Sequence, residues 1–128
     1  MESFTFQIPL TDTNRNNQRF EKDALIKALK EYQKRIDEKT AFGVTTNEQN
    51  LPIIDLRDVT HLIDNIKIDN DYIICDMIPI GKRNETLFKL IDKYNLSNSC
   101  FSFKPRIFQN IDKDLQIISI DLMLNKSE

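Results

Sequence analysis

The sequence predicts an α+β domain built on a mostly antiparallel sheet, or a partly closed barrel, flanked by two helices. Its 128 residues suit one domain with a single core. Two segments carry apolar residues at helical spacing, and five shorter runs are strand-like. Their order, β, α, long connection, β, β, α, β, β, is typical of antiparallel sheets. With no repeat or linker to divide the chain, residues 1–128 are expected to form a single domain.

The first half of the chain supplies one strand, one helix and a long connection. Residues 3–10, SFTFQIPL, alternate apolar and polar side chains, which predicts a strand. Residues 21–38 predict an amphipathic helix with a charged outer face. Its apolar positions are Leu25, Ala28, Leu29, Tyr32 and Ile36. Residues 41–58 are predicted as a long connection, because Pro52 and the scarcity of periodic apolar positions disfavour a helix.

The second half supplies a hairpin, a short helix and two strands. The β-rich runs 59–69 and 71–80 are separated by Asn70, which predicts a hairpin. Residues 83–95 predict a helix with Asn84 as its N-terminal cap. Its expected inward-facing residues are Leu87, Leu90 and Ile91. The last two predicted strands are residues 100–108 and 115–124.

Composition argues against several classes of function. The 18 basic and 20 acidic residues leave a net charge of -2, so no overall field favours nucleic acid or an anionic membrane. The sequence contains neither a signal-peptide pattern nor an apolar run of about 20 residues, which predicts a soluble intracellular protein. Cys75 and Cys100 lack metal or redox spacing and are expected to be buried and free.

No cofactor or metal is expected either. One histidine without a pattern of carboxylate or thiolate ligands offers no metal site, and two glycines offer no phosphate loop. Phe101, Phe103 and Phe108 lie beside Lys104 and Arg106 and could stack on single-stranded nucleic acid. Strand spacing instead favours Phe101 and Phe103 as core residues.

Candidate catalytic residues gather in NSCFSFKPR, residues 98–106, which contains Ser99, Cys100 and Ser102. A serine nucleophile needs a base, and a third group orients that base. The single histidine, His61, can complete a trio of Ser102, His61 and Asp121. The alternative interpretation is that His61 is a half-buried strand residue hydrogen-bonded to a neighbour.

Several longer stretches carry a family resemblance. They are NRNNQRFEKDALIKALKEYQKRIDEKTAFG (14–43), DVTHLIDNIKIDNDYIICDMIPIGKRNETLFKLI (58–91), CFSFKPR and ISIDLM. The matching positions in the first are Asn14, Asn16, Phe20, Leu25, Ala28, Tyr32, Ala41 and Gly43. Over residues 4–122 the chain resembles the myovirus-type prohead core proteases of tailed bacteriophages, serine proteases related to herpesvirus assemblin. The resemblance implies that family's fold.

The resemblance also locates the family's catalytic base and third catalytic member. The family's histidine lies a few residues after the glycine that matches Gly43, and Asn47 occupies that place. An amide cannot act as a base near neutral pH. The family's third member, an aspartate near the end, is matched by Asp121. The resemblance therefore implies that the usual base is lost.

The nucleophile position is ambiguous. The family places the nucleophile first in a Ser-Ser-Arg-Gly motif, and Ser102 fits only if two residues are inserted before Arg106. Aligning the arginines instead puts Lys104 and Pro105 where the serines should be, and Ile107 then follows the arginine in place of the glycine.

The resemblance implies a phage capsid-assembly or virion structural protein, and the departures from the family's catalytic motif favour one that has lost peptidase activity. It would act in the host cytoplasm, or within the virion, by binding capsid, scaffold or other virion proteins, and a homodimer is a further expectation. No nucleic-acid or membrane partner is expected. One alternative is an active capsid-maturation serine endopeptidase that uses Ser102, His61 and Asp121. The other is an unrelated small phage or bacterial binding protein.

Overall fold

The computed structural model describes residues 3–9, 22–46, 51–94, 101–109 and 114–124. Its elements in chain order are β1 Phe4–Pro9, α1 Lys22–Asp37, β2 Phe42–Thr46, β3 Val59–Asp69, β4 Tyr72–Pro79, α2 Lys82–Tyr94, β5 Phe101–Gln109 and β6 Leu115–Leu124. One 3₁₀ turn, Leu56–Asp58, precedes β3. In this part of the chain neither helix has the length and apolar character needed to cross a membrane.

The strands form one curled sheet in the order β1-β4-β3-β2-β6-β5. Each described neighbouring pair is antiparallel except β2 with β6, which is parallel. The rings of Phe6 on β1 and Phe103 on β5 lie 4.2 Å apart, so the two edge strands approach each other. The predicted α+β fold, a mostly antiparallel and partly closed sheet with two helices, is confirmed.

The predicted hairpin is confirmed as β3 and β4. Asp69 pairs with Tyr72 across the turn, and Asn70 adopts the left-handed conformation with φ 55°. Asparagine tolerates this region better than most residues, so Asn70 provides the turn in a chain that has few glycines.

The prediction of an uninterrupted connection over residues 41–58 is wrong, because Phe42–Thr46 forms β2 in the middle of the sheet. Gly43 pairs with His61 on one side, and Thr45 pairs with Leu122 on the other. The segment FGVTT is short and lacks a clear alternation of apolar and polar residues. Its strand conformation depends on backbone pairing with neighbours that are distant in sequence.

The helices cover the face of the sheet that holds the core. The predicted inner face of α1 is confirmed: Leu25, Ala28, Leu29, Tyr32 and Ile36 are all buried. On α2 the buried residues are Phe88 and Ile91, whereas Leu90 is 45% exposed, so its predicted inward position is wrong. Asn84 lies inside the first turn and donates from its side chain to the carbonyl of Ile80, so it is not the N-terminal cap.

Other predicted burial positions can be checked in the described residues. Cys75 is a free, fully buried thiol, as expected, and burial raises its pKa well above the ordinary value. Phe103 is buried and Phe101 packs partly buried against the core, which confirms their predicted orientation. Ser99 and Cys100 lie outside the described residues.

Candidate functional site

His61 is fully buried on the core face of the sheet, the face that also carries Phe103. Its ring lies 5.4 Å from the ring of Phe88 and 6.1 Å from that of Phe103, measured between centroids. The prediction that His61 is half-buried is therefore wrong, because the side chain is completely buried. The prediction that it hydrogen-bonds to a neighbour is confirmed by its contact with Thr60.

Both ring nitrogens of His61 have partners. Nε2 lies 2.7 Å from the carbonyl oxygen of Ile120, which can only accept, so Nε2 carries the proton. In the neutral ring Nδ1 then accepts from the hydroxyl of Thr60, 2.8 Å away. Thr60 in turn accepts from the hydroxyl of Thr45 at 3.1 Å. The result is a hydrogen-bond chain that runs from β2 through β3 to β6.

Burial favours the neutral form of this histidine. Desolvation lowers the pKa of His61 below its usual value, and the hydrogen bond to Ile120 and the charge of Asp121 oppose that shift. The imidazole is therefore a weaker base than an exposed histidine.

Gly43 makes the position of the His61 ring possible. It lies opposite His61 in the register of β2 and β3, and the ring crosses it to reach the backbone of β6. A Cβ atom at Gly43 would overlap both His61 Nε2 and the carbonyl oxygen of Ile120. The position therefore needs glycine for space, not for an unusual backbone angle.

A buried ion pair lies on the other face of the sheet. Arg106 Nε donates to Asp121 Oδ2 at 2.9 Å, and the two side chains are 5% and 0% exposed. Asp121 Oδ1 accepts from the backbone N–H of Val44 at 3.2 Å. Arg106 Nη1 donates to the carbonyls of Leu51, at 3.2 Å, and Ile53, at 2.7 Å. The pair thus links β5, β6, β2 and the segment before β3, and its charges are hydrogen-bonded as buried charges require.

The predicted catalytic residues are divided between the two faces. Ser102, Lys104 and Arg106 are alternate residues of β5, so they lie on the same face of the sheet. Lys104 is opposite Asp121 in the register of β5 and β6. Phe103 lies on the opposite face together with the His61 ring. The structure therefore places Asp121 beside Arg106. The hydrogen-bond partners of His61 are Thr60 and Ile120 rather than Ser102. Asn47, the position matched to the family's base, lies outside the described residues.

A cavity of about 630 Å³ opens where β2 ends. Its lining residues are Val44, Thr45, Thr46, Leu51, Ile53, Ile54, Asp55, Asp58, Arg83 and Arg106. Arg106 is held by Asp121, and Asp55 is paired with Arg57 at 2.8 Å. The Arg57 hydrogen bonds lower the pKa of the Asp55 carboxyl. Two of the charged residues that line this cleft, Arg106 and Asp55, are thus already paired with Asp121 and Arg57.

The sequence indicates Arg106 as a motif position but does not indicate that Arg106 pairs with Asp121. The two residues are 15 positions apart, and only the antiparallel pairing of β5 with β6 brings them together. Nothing in the sequence indicates that Thr45 and Thr60 belong to the hydrogen-bond chain of His61, because threonine is a common residue in strands.

The described residues define an α+β fold of the prohead-protease type, with a curled six-stranded sheet and two helices. Among solved structures, the chain is similar to the bacteriophage T4 capsid assembly protease, gp21, with a TM-score of 0.60. The two sequences are 12% identical, and the match covers 94% of this chain and 81% of that chain. At this identity the likeness is one of fold. No protein-family model and no curated protein matches the chain.

Proposed function

We propose that this chain is a phage capsid-assembly or virion structural protein that acts by binding other proteins and does not cut peptides. The fold shared with a capsid assembly protease supports the capsid setting. The proposal that the chain does not cut peptides rests on His61, whose two ring nitrogens both form hydrogen bonds inside the core. Capsid or scaffold proteins are the proposed partners, met in the host cytoplasm or within the virion.

The geometry of His61 disfavours a role as general base. A base must direct a free lone pair at the nucleophile, from within hydrogen-bond distance. The lone pair of Nδ1 accepts from Thr60, and Nε2 carries a proton that points at Ile120. Taking a second proton would place a positive charge in an apolar pocket, beside the ring of Phe88.

Asp121 is also engaged. One carboxylate oxygen accepts from the backbone of Val44 and the other from Arg106. A catalytic aspartate of the serine-protease type orients the histidine by accepting from its ring N–H. In this chain a backbone carbonyl, that of Ile120, takes that proton. Both buried groups therefore support the strands that hold them.

A serine-reactive phosphonate probe tests the proposal directly. The purified chain is incubated with the probe, and separately with capsid and scaffold proteins, and all products are measured by intact mass spectrometry. We expect neither a probe adduct nor cleavage. Ser102→Ala is the test variant, and Ser119→Ala is the matched control, because Ser119 is a fully buried serine on the adjacent strand β6.

Labelling that persists in Ser119→Ala and disappears in Ser102→Ala would establish the endopeptidase alternative and overturn the proposal. Mass spectrometry of purified procapsids and virions tests the capsid setting separately. We expect peptides of this chain in at least one of the two particles, and their absence from both would refute a capsid role.

A further inference from the structure

Residues 51–56, which lie between β2 and β3, bury little of their side chains. Leu51, Ile53 and Leu56 are 58%, 68% and 69% exposed. Ile54 is half-buried, and the remaining side chains of the segment are exposed. Burial of apolar side chains is the main force that holds a surface segment to the rest of a protein. It therefore contributes little to holding this one.

Hydrogen bonds from a single arginine join this segment to the sheet. Arg106, on β5, donates from Nη1 to the carbonyl oxygens of Leu51, at 3.2 Å, and Ile53, at 2.7 Å. The carboxylate of Asp55 instead accepts from Arg57, in the turn that follows. In the part of the chain that the structure describes, the two bonds from Arg106 are thus the ones that tie the segment to a strand.

The guanidinium of Arg106 is itself fixed in position. The Arg106 side chain is buried, and its Nε donates to Asp121 at 2.9 Å. Asp121 in turn accepts from the backbone N–H of Val44 on β2. Because the nitrogens of a guanidinium form a rigid fork, the bond that orients Nε also directs Nη1. The segment is therefore attached through Arg106 to the middle of the sheet.

The segment forms one wall of the cleft at the end of β2. Leu51, Ile53 and Ile54 line the cleft opposite residues that include Thr45 and Arg106. An outward movement of this wall breaks the two bonds to Arg106 and exposes little new apolar surface, and water can replace the lost partners. Segments with few buried contacts open more easily than the sheets that they cover. Opening therefore does not require the sheet to unfold.

We propose that residues 51–56 are a strap that opens and closes over the cleft while the sheet stays folded, and that Arg106 is the latch that holds the strap closed. In the closed state the carbonyls of Leu51 and Ile53 occupy Nη1. In the open state the guanidinium and the walls of the cleft are accessible from solvent. The inference concerns a motion of the folded chain and does not rest on the proposed function.

Chemical labelling of Arg106 measures the opening of the strap. The folded chain is treated with phenylglyoxal, which modifies accessible guanidinium groups, and with iodoacetamide, which alkylates accessible thiols. Cys75 reports unfolding of the sheet, because its thiol is fully buried on β4. Peptide mass spectrometry gives each rate as a fraction of its rate in the urea-unfolded chain. We expect this fraction to be at least about tenfold larger for Arg106 than for Cys75.

Pro52→Gly tests the strap without changing the latch. Pro52 lies between the two residues whose carbonyls Arg106 holds. Proline restricts the backbone of the open segment and glycine frees it, so the variant should speed the modification of Arg106 by about fivefold. Leu56→Ala is the matched control, because it removes an exposed side chain of the strap. It should leave the rate within about twofold of wild type.

Arg106→Lys tests the latch. Lysine keeps a positive charge beside Asp121 but lacks the fork of donors that reaches both carbonyls. Cleavage by thermolysin within residues 51–56 should become about tenfold faster than in wild type. Arg35→Lys is the matched control, because Arg35 Nη1 donates to the carbonyl of Ile118 at 2.9 Å, outside the strap. Its rate of strap cleavage should equal that of wild type, and circular dichroism confirms that each variant is folded.

Three results would overturn the inference. Relative rates for Arg106 no higher than those for Cys75 would show that the guanidinium becomes accessible only when the sheet unfolds. A Pro52→Gly variant with the wild-type rate of Arg106 modification would show that the strap does not control access, and this result holds even where Arg106→Lys fails to fold. Equal strap cleavage in folded Arg106→Lys and wild type would show that Arg106 is not the latch.

Discussion

The two faces of the sheet bury titratable groups in opposite ways. On the core face, His61 is neutral, surrounded by phenylalanine rings, and hydrogen-bonded through both nitrogens. On the other face, Arg106 and Asp121 form a buried salt bridge. The neutral state of the His61 ring depends on pH, and the position of the ring depends on the space at Gly43. The stability of the Arg106–Asp121 pair depends on the presence of both side chains.

The largest expected effect comes from removing one member of the ion pair. Asp121→Asn leaves the buried Arg106 charge without a counter-ion and should lower the free energy of unfolding by about 3–5 kcal/mol. Urea denaturation monitored by circular dichroism measures it. The matched control is Asp114→Asn, because the Lys27–Asp114 pair is more than half exposed. Its loss should cost less than about 1 kcal/mol, and equal losses in both variants would contradict the importance of burial.

A smaller effect should come from Gly43. Gly43→Ala introduces a methyl group that overlaps the His61 ring and the Ile120 carbonyl, and it should destabilise the fold by about 2–3 kcal/mol. Gly81→Ala is the control, since open space surrounds Gly81 and its positive φ of 92° alone should cost about 1 kcal/mol. A Gly43→Ala variant no less stable than Gly81→Ala in the same urea assay would show that the ring does not depend on the missing Cβ.

The pH dependence of stability should identify His61. Because burial lowers its pKa in the folded chain, the unfolded chain takes up the proton first as the pH falls below about 6.5. Stability from this group is complete above that pH and is lost below it, by at most about 1.4 kcal/mol per pH unit. His61→Gln should show a shallower decline between about pH 6.5 and 5. Identical slopes for wild type and variant would contradict a buried neutral histidine.

Elements with strong local patterns were predicted well. The apolar spacing of α1 and the alternation in β4 are properties of neighbouring residues, so the sequence displays them directly. The wrong prediction that Leu90 on α2 faces inward has a physical cause. Phe88 and Leu90 are both apolar and lie on different sides of the helix, and only packing against the phenylalanines of β1 and β5 selects Phe88.

The candidate site was predicted only in part. His61, Ser102 and Asp121 were identified because they are the residue types that serine-protease chemistry requires. Their contacts were not predictable, since His61 reaches Ile120 across a span of 59 positions. Their assignment as a catalytic trio stays a prediction that the phosphonate probe tests.

The sequence by itself determined the two amphipathic helices, five of the six described strands and the hairpin at Asn70. Local spacing of apolar residues and turn chemistry were sufficient for these. The tertiary structure decided that FGVTT is a central strand, that Arg106 pairs with Asp121, and that His61 is neutral and buried. These features depend on which distant strands lie side by side, because hydrogen-bond partners and burial arise only when the sheet is assembled.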